Sequence, residues 1–131
     1  INAGLVGSEM CIRDSLFPLY IKKLYSDDPI FDRCKIISSI YSKAFNGNLS
    51  KSLPKKIQFD GIQDDLSSIS APDYYSLTEL MIQYSDSVIL SSEKTEKEIT
   101  ALIKKNSRDC LSYKDSLSDE KLLDFLLKNL D

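Results

Sequence analysis

Short apolar segments alternate with amphipathic segments along this chain, and that alternation restricts the possible folds more than any other feature. Ser87–Leu90 has no polar alternation, which is typical of a parallel strand buried on both faces. Segment 35–41 is short and rich in β-branched residues, and 109–113 is a weaker candidate strand. Because a helical segment follows each, the order predicts an α/β fold, a partial doubly wound (Rossmann-like) parallel sheet covered by helices.

Four segments carry apolar residues at helical spacing. The first covers 16–25, and the second is expected to begin at Asp73, a plausible N-cap. The third is expected to be capped by Ser91 or Ser92 and the last by Ser118. Ile99, Leu102 and Ile103 are predicted to face inward, and the other apolar residues at this spacing are Phe17, Tyr20, Ile21, Leu24, Tyr74, Leu77, Leu80, Met81, Tyr84, Leu122, Leu123, Leu126, Leu127 and Leu130.

The length of 131 residues allows one domain, and a composition of 42% hydrophobic and 28% charged residues is typical of globular proteins. Segment 46–72 lacks a clear period and is rich in Gly, Pro, Ser and Asp. A loop of that length is expected either to be functional or to contain short helices.

The chain contains no histidine, which excludes a Ser-His-Asp triad, a Cys-His pair and a His-ligated metal site built from this chain alone. Its four glycines form no phosphate-cradling motif. We therefore predict no catalytic residue, no metal ligand and no cofactor here. The cysteines Cys11, Cys34 and Cys110 form no C-x-x-C pair and are predicted to be reduced thiols of a cytoplasmic protein, with Cys34 and Cys110 buried.

The net charge is -3, from 17 basic and 20 acidic residues. Binding to nucleic acid or an acidic membrane needs a clustered positive field, so neither partner is expected. No apolar stretch is long enough to cross a bilayer.

Several pairs of adjacent residues could suggest sites, and each has a simpler explanation. The pairs at 27–28 and 64–65 are Asp-Asp and are expected to serve turns. The Lys-Lys pairs at 22–23, 55–56 and 104–105 are expected to be solvated. Tyr74 lies on the apolar face of its helix and is predicted to be core. The leucines of the last helix are also predicted to be core, unless the domain is truncated and that face lacks its cover.

Residues 1–15 are expected to be an artefact of sequencing. Eleven consecutive residues, 5–15, reproduce the in-frame translation of the adapter and transposon end that are ligated to DNA in sequencing libraries. We therefore exclude 1–15 from the gene product and take 16–131 as the biological segment, a fragment with sequence missing upstream. The alternative is a genuine short N-terminal arm.

Four segments of the sequence carry a family resemblance. Segment 37–47 aligns without gaps with the pattern V-[FY]-T-I-H-N-L-A-Y-Q-G, and 59–61 falls where the same family has P-D-G. Segment 77–86 follows F-L-K-x-G-I-x-Y-A-D, and 88–99 is similar to V-T-T-V-S-P-x-Y-x-x-E-I. These patterns resemble the N-terminal catalytic domain of bacterial glycogen and starch synthases, and 18–31 resembles a short single-domain branch of that family.

The resemblance implies a glycosyltransferase of the GT-B class, which extends α-1,4-glucan from ADP-glucose. Segment 16–131 would then be the C-terminal part of a starch-synthase-like catalytic domain, within a truncated N-terminal half of a GT-B enzyme. The family histidine that contacts the donor sugar is replaced by Tyr41, which becomes the candidate substrate-binding residue, and a family lysine is replaced by Glu79. The family's K-x-G-G-L loop would lie upstream of Leu16. Because transfer needs a cleft between two domains, the fragment alone is expected to be inactive.

Two other interpretations remain open. The chain could be a non-catalytic glucan-binding or regulatory α/β domain, or a generic doubly wound domain that shares only its fold with the synthases. Truncation of the sheet would also leave an unpaired edge, so self-association through that edge is expected.

Overall fold

The computed structural model describes residues 5–9, 14–41, 46–93 and 97–130. Four strands form one parallel sheet in the order β1-β2-β3-β4. They are β1 (Leu5–Glu9), β2 (Lys35–Ile40), β3 (Ser87–Leu90) and β4 (Asp109–Leu111). The α-helices are α1 (Phe17–Leu24), α2 (Leu53–Phe59), α3 (Tyr74–Tyr84), α4 (Lys97–Lys105), α5 (Tyr113–Ser116) and α6 (Asp119–Leu130). The α/β class and the partial Rossmann-like parallel sheet predicted from the alternation are confirmed.

The main core fills one face of the sheet. Ile40 and Val88 project from β2 and β3 into it, and helices α1, α3 and α4 cover them. Every one of these helices contributes apolar side chains that are almost completely buried, among them Leu19, Leu77, Met81, Ile82, Ile99 and Ile103. Burial of this apolar surface is the main source of the domain's stability.

The opposite face carries a smaller core. Ile37, Ile89 and Leu111 project from β2, β3 and β4, and side chains of α6 pack on them, namely Leu122, Phe125 and Leu126. Another side of α6 faces outward. It carries Leu123 and Leu127, whose side chains are 55% and 52% exposed. The prediction that all leucines of this helix are core is therefore wrong for these two, because one helix on this face buries only one of its sides.

Local hydrogen bonds explain where α3 begins. The Asp73 carboxylate accepts from the backbone N–H of Ser76 at 2.8 Å, and the Ser76 hydroxyl accepts from the backbone N–H of Asp73 at 3.0 Å. This reciprocal capping box satisfies two helix-end donors and confirms the predicted N-cap. Leu122 N donates to Ser118 O, which agrees with the predicted start of α6.

Segment 46–72 contains short helices, as the second of the two alternatives predicted for this long loop. Pro54 lies in the first turn of α2, where its missing N–H costs no helical hydrogen bond. A 3₁₀ turn, Ser67–Ile69, follows. Ile57 and Ile69 are buried, which anchors both elements to the main core.

The two cysteines of the described ranges are less buried than predicted. Cys34 is half-buried and Cys110 is exposed, so the prediction that both are buried is wrong. Cys110 lies on β4, an edge strand, where a neighbouring strand covers only one side.

The predicted cap of α4 at Ser91 or Ser92 is separated from Lys97 by residues outside the described ranges and stays a prediction. Within those ranges, no helix combines the length and apolar character needed to cross a bilayer.

Removal of residues 1–15 is expected to promote self-association. In the structure β1 pairs with β2 from Leu5 opposite Lys35 to Glu9 opposite Ser39, so deletion exposes the backbone donors and acceptors of β2. We expect light scattering to show concentration-dependent oligomers of the shortened chain. A chain lacking only residues 1–4 keeps β1 and serves as the control. A monodisperse shortened chain with a cooperative thermal transition would contradict this expectation.

Candidate functional site

The carboxyl ends of β2, β3 and β4 meet at one edge of the sheet and form a cavity of about 330 Å³. Tyr41, the residue directly after β2, lines this cavity and is 45% exposed. The other lining residues are Ser39, Ile89, Ser91, Tyr113, Ser116, Leu117 and Leu122. Ligands of open parallel α/β sheets bind outside the carboxyl ends of the strands, so the cavity has the expected location for a site.

The short helix α5 closes one side of this cavity. The Ser112 side chain accepts from the backbone N–H of Asp115 and thereby caps α5 immediately after β4. The Ser116 hydroxyl contacts the Leu90 carbonyl at 3.2 Å and the Tyr113 carbonyl at 2.7 Å. These bonds tie α5 to the end of β3 and hold Tyr113 at the cavity, on the opposite side of β3 from the strand that leads to Tyr41.

The lining combines hydroxyl groups with aromatic and aliphatic surface. Hydroxyls both donate and accept hydrogen bonds, and tyrosine adds a flat apolar ring. A sugar presents the matching groups, since its hydroxyls surround apolar C–H faces. All of the described lining residues are uncharged, so the cavity is suited to a neutral polar ligand. Among the described residues, no cluster of three carboxylate or thiol side chains could hold a metal ion.

A second cavity, of about 300 Å³, lies at the amino-terminal edge of the sheet. Here the Lys22 ammonium lies 3.1 Å from Asp86, and the Lys23 ammonium lies 2.8 Å from Asp64. Both side chains are also partly exposed, at 35% and 39%, so the lysines are solvated as predicted and in addition form ion pairs that were not predicted. Both lysines project from the last turn of α1 toward carboxylates that are distant in sequence, which adjacent charges alone could not reveal.

The two aspartate pairs have different roles. Asp28 accepts from the backbone N–H of Ile30, and Asp65 accepts from that of Ser67, both at 2.9 Å, as expected for turns. These backbone and side-chain hydrogen bonds lower the pKa of Asp65. Asp64 instead accepts from Lys23 and from the Tyr84 hydroxyl, and the bond from Lys23 is the main reason that the pKa of Asp64 is lowered.

Glu79, which stands where the resembled family has lysine, also forms an ion pair. Its carboxylate lies 2.6 Å from the Lys105 ammonium on α4. The charge at this position therefore contributes to the contact between α3 and α4, and Lys105 forms this pair while its side chain stays 69% exposed. Tyr74 is 2% exposed, as predicted for a core residue.

Tyr20 and Tyr84 are expected to ionise late. The pKa of Tyr20 and that of Tyr84 are each raised from 10.0 to about 12, mainly by burial and further by hydrogen bonds to Asp60 and Asp64. The raised pKa values mean that the associated stability is complete below about pH 10 and is lost as the pH rises toward about 12. Tyrosinate absorbance should show a delayed phase to which Tyr20 and Tyr84 contribute, and Tyr84→Phe should reduce its amplitude by one group. Ionisation of all tyrosines near pH 10 in the folded chain would contradict this expectation.

Sequence reasoning identified Tyr41 but missed Tyr113 and Ser116. Tyr113 ends the predicted strand 109–113 and Ser116 follows it, so their position at a carboxyl end was the available signal. Sequence reasoning also missed Arg108, which precedes β4 and lines the second cavity.

Comparison with known proteins gives a consistent assignment for most of the chain. The family described as starch synthase catalytic domain matches residues 14–110, a range that includes Tyr41 and ends before α5. Glycogen synthases of Thermotoga maritima, Thermotoga petrophila and Thermotoga sp. (strain RQ2) are each 28% identical over 88 residues. These matches cover 65% of this chain but only 18% of each relative. No solved structure matches at a comparable level of significance.

Proposed function

Because the chain belongs to the starch synthase catalytic domain family, we propose that it is part of a GT-B glycosyltransferase that transfers glucosyl groups from ADP-glucose to α-1,4-glucan. The observation that carries the proposal is the place of Tyr41. It lies within the matched range and lines the cavity at the carboxyl edge of the sheet. This edge is where a sheet of this kind binds its ligand.

In this proposal the cavity holds a glucosyl unit. The Tyr41 and Tyr113 side chains offer aromatic surface for the apolar face of the sugar, and the Ser39 and Ser91 hydroxyls offer hydrogen bonds at its edge. Tyr41 thereby acts as a substrate-binding residue and carries no proton or electron pair in the reaction. No acid, base or nucleophile is assigned to this part of the enzyme.

The chain is proposed to bind glucan without transferring glucose when it is alone. It matches only 18% of the length of its glycogen synthase relatives. Transfer requires donor and acceptor to be held in a defined mutual orientation, and loss of that positioning costs about 7–11 kcal/mol of the barrier reduction available to an enzyme.

The test is incorporation of labelled glucose from ADP-glucose into a glycogen primer. We expect no incorporation by the 131-residue chain and measurable incorporation by the product of the complete gene. Absence of incorporation by the complete product, with glucan binding also absent, would contradict the proposal.

A second candidate is a glucan-binding or regulatory protein that has lost transfer activity. The uncharged lining of the carboxyl-edge cavity favours it, because the diphosphate of a nucleotide sugar is best held by cations whereas a glucan chain is neutral. Glucan binding by the complete gene product without turnover of ADP-glucose would select this candidate over the enzyme.

We also propose that residues 1–15 derive from a library adapter. The eleven-residue identity of 5–15 to the adapter translation supports this, and so does a family match that begins at residue 14. Resequencing of the genomic locus tests it. A reading frame that continues upstream of Leu16 without the adapter sequence is expected, and a genome that encodes 5–15 as given would refute the proposal.

A further inference from the structure

The cavity at the amino-terminal edge of the sheet has a composition unlike that of the carboxyl-edge site. Lys22, Lys23 and Arg108 line it together with a single carboxylate, that of Asp86. Asp64 also pairs with Lys23, so three cations face two carboxylates, which leaves an excess of one positive charge here on a chain whose net charge is -3. A local positive field within an acidic protein attracts anions to that place.

The two lysines and the arginine differ in how their charges are compensated. Each lysine faces a carboxylate, Asp86 or Asp64. Arg108 donates from Nη2 to the carbonyl of Gln83, and its Nε is buried without a hydrogen-bond partner. Within the described ranges, no carboxylate pairs with the Arg108 guanidinium, so this cation has donors left for a ligand.

The backbone holds Arg108 in place. Helix α4 ends with Ser107 in the left-handed region at φ 53°, where Ser107 N donates to Lys104 O and Arg108 N donates to Ile103 O. This pair of bonds is a Schellman motif, which fixes the direction of the chain after a helix. A non-glycine residue at positive φ is disfavoured, so the turn retains Ser107 in a strained conformation that aims Arg108 at the cavity.

We propose that this cavity binds a phosphoryl group, supplied by inorganic phosphate or a small phosphomonoester. Within the donor fork of the Arg108 guanidinium, the N–H groups other than buried Nε and the one bonded to Gln83 remain for phosphate oxygens, and Lys22 and Lys23 add point charges. A volume of about 300 Å³ accommodates a phosphoryl group and a small attached body. The site lies at the opposite edge of the sheet from Tyr41, so it is independent of the proposed glucan site.

The test is a titration of the isotopically labelled chain with inorganic phosphate at constant ionic strength, followed by amide chemical shifts. We expect saturable shifts around Asp86 and Arg108. Arg108→Gln should weaken binding about tenfold or more, because it removes a charge-assisted pair of hydrogen bonds. Lys97→Gln, at the other end of α4, removes the same charge and should change affinity less than about twofold.

Competition and vesicle-binding measurements distinguish the sources of the phosphoryl group, and a second Arg108 variant keeps the test valid if the first does not fold. A hexose monophosphate should compete with phosphate, whereas phosphatidylglycerol vesicles should not bind. If Arg108→Gln does not fold, Arg108→Lys keeps the charge, loses the fork and should still bind more weakly than the parent chain. Equal, non-saturable shifts in all variants, or binding to vesicles alone, would overturn the proposal.

Discussion

Replacement of Asp86 by alanine is expected to lower the free energy of unfolding by about 3 kcal/mol. One carboxylate oxygen accepts from the buried backbone N–H of Ile36 at 2.7 Å and lies 3.1 Å from the Lys22 ammonium. Asp86 therefore joins the start of β2, the end of α1 and the start of β3. Alanine leaves a buried donor without an acceptor and a lysine without its partner, and urea unfolding at neutral pH measures the loss.

Two variants separate the bond to the backbone from the ion pair. Asp86→Asn keeps an oxygen that can accept from Ile36 and should recover part of the lost stability. Asp115→Ala removes a solvent-exposed partner of Lys121, and a pair of that kind contributes little to stability. The account of Asp86 is wrong if its alanine variant is no less stable than Asp115→Ala.

Replacement of Tyr41 by alanine is expected to weaken binding of a maltooligosaccharide about tenfold, equivalent to about 1.4 kcal/mol, since the ring supplies apolar stacking surface. Tyr41 lies at the mouth of the cavity with its neighbours Ser39 and Ser91. Tyr41→Phe keeps the ring and should bind almost as well as the parent chain. Affinity electrophoresis in a glucan-containing gel measures the difference.

Tyr25 provides a matched control for this variant. It is 48% exposed, against 45% for Tyr41, but it follows α1 and does not line the carboxyl-edge cavity. Tyr25→Ala should leave glucan mobility unchanged. Equal effects of the two alanine variants would show that binding follows general surface hydrophobicity and would remove the special role of Tyr41.

The sequence pattern was informative where one local property decides the structure. The uninterrupted apolar run of β3 predicted a buried parallel strand, and Asp73 predicted the start of α3. Tyr41 could be placed at a site because the end of β2 and the family pattern coincide there. These predictions depend on period, propensity and capping, which are all encoded within a few residues.

Other features depend on contacts between distant parts of the chain. Lys22 and Lys23 resembled a solvated pair, yet their partners lie in the loop before the 3₁₀ turn and just before β3. Tyr113 reaches the cavity only because β4 pairs with β3, which places α5 beside the end of that strand. Leu123 and Leu127 are exposed because α6 is the one helix of the described residues that covers the smaller core, and they lie on its outer side. The lysine pairings and the exposed leucines have no local sequence signal, and Tyr113 had only its place at the end of a predicted strand.

The most direct test of the glucan-binding account is a chemical-shift titration of the chain with maltoheptaose. The account predicts saturable shifts of the amides near Tyr41, Ser91 and Tyr113, with little change at Asp86 and Arg108 on the opposite edge of the sheet. Absence of saturable shifts, or shifts confined to another surface, would contradict the assignment of the carboxyl-edge cavity as a glucan site.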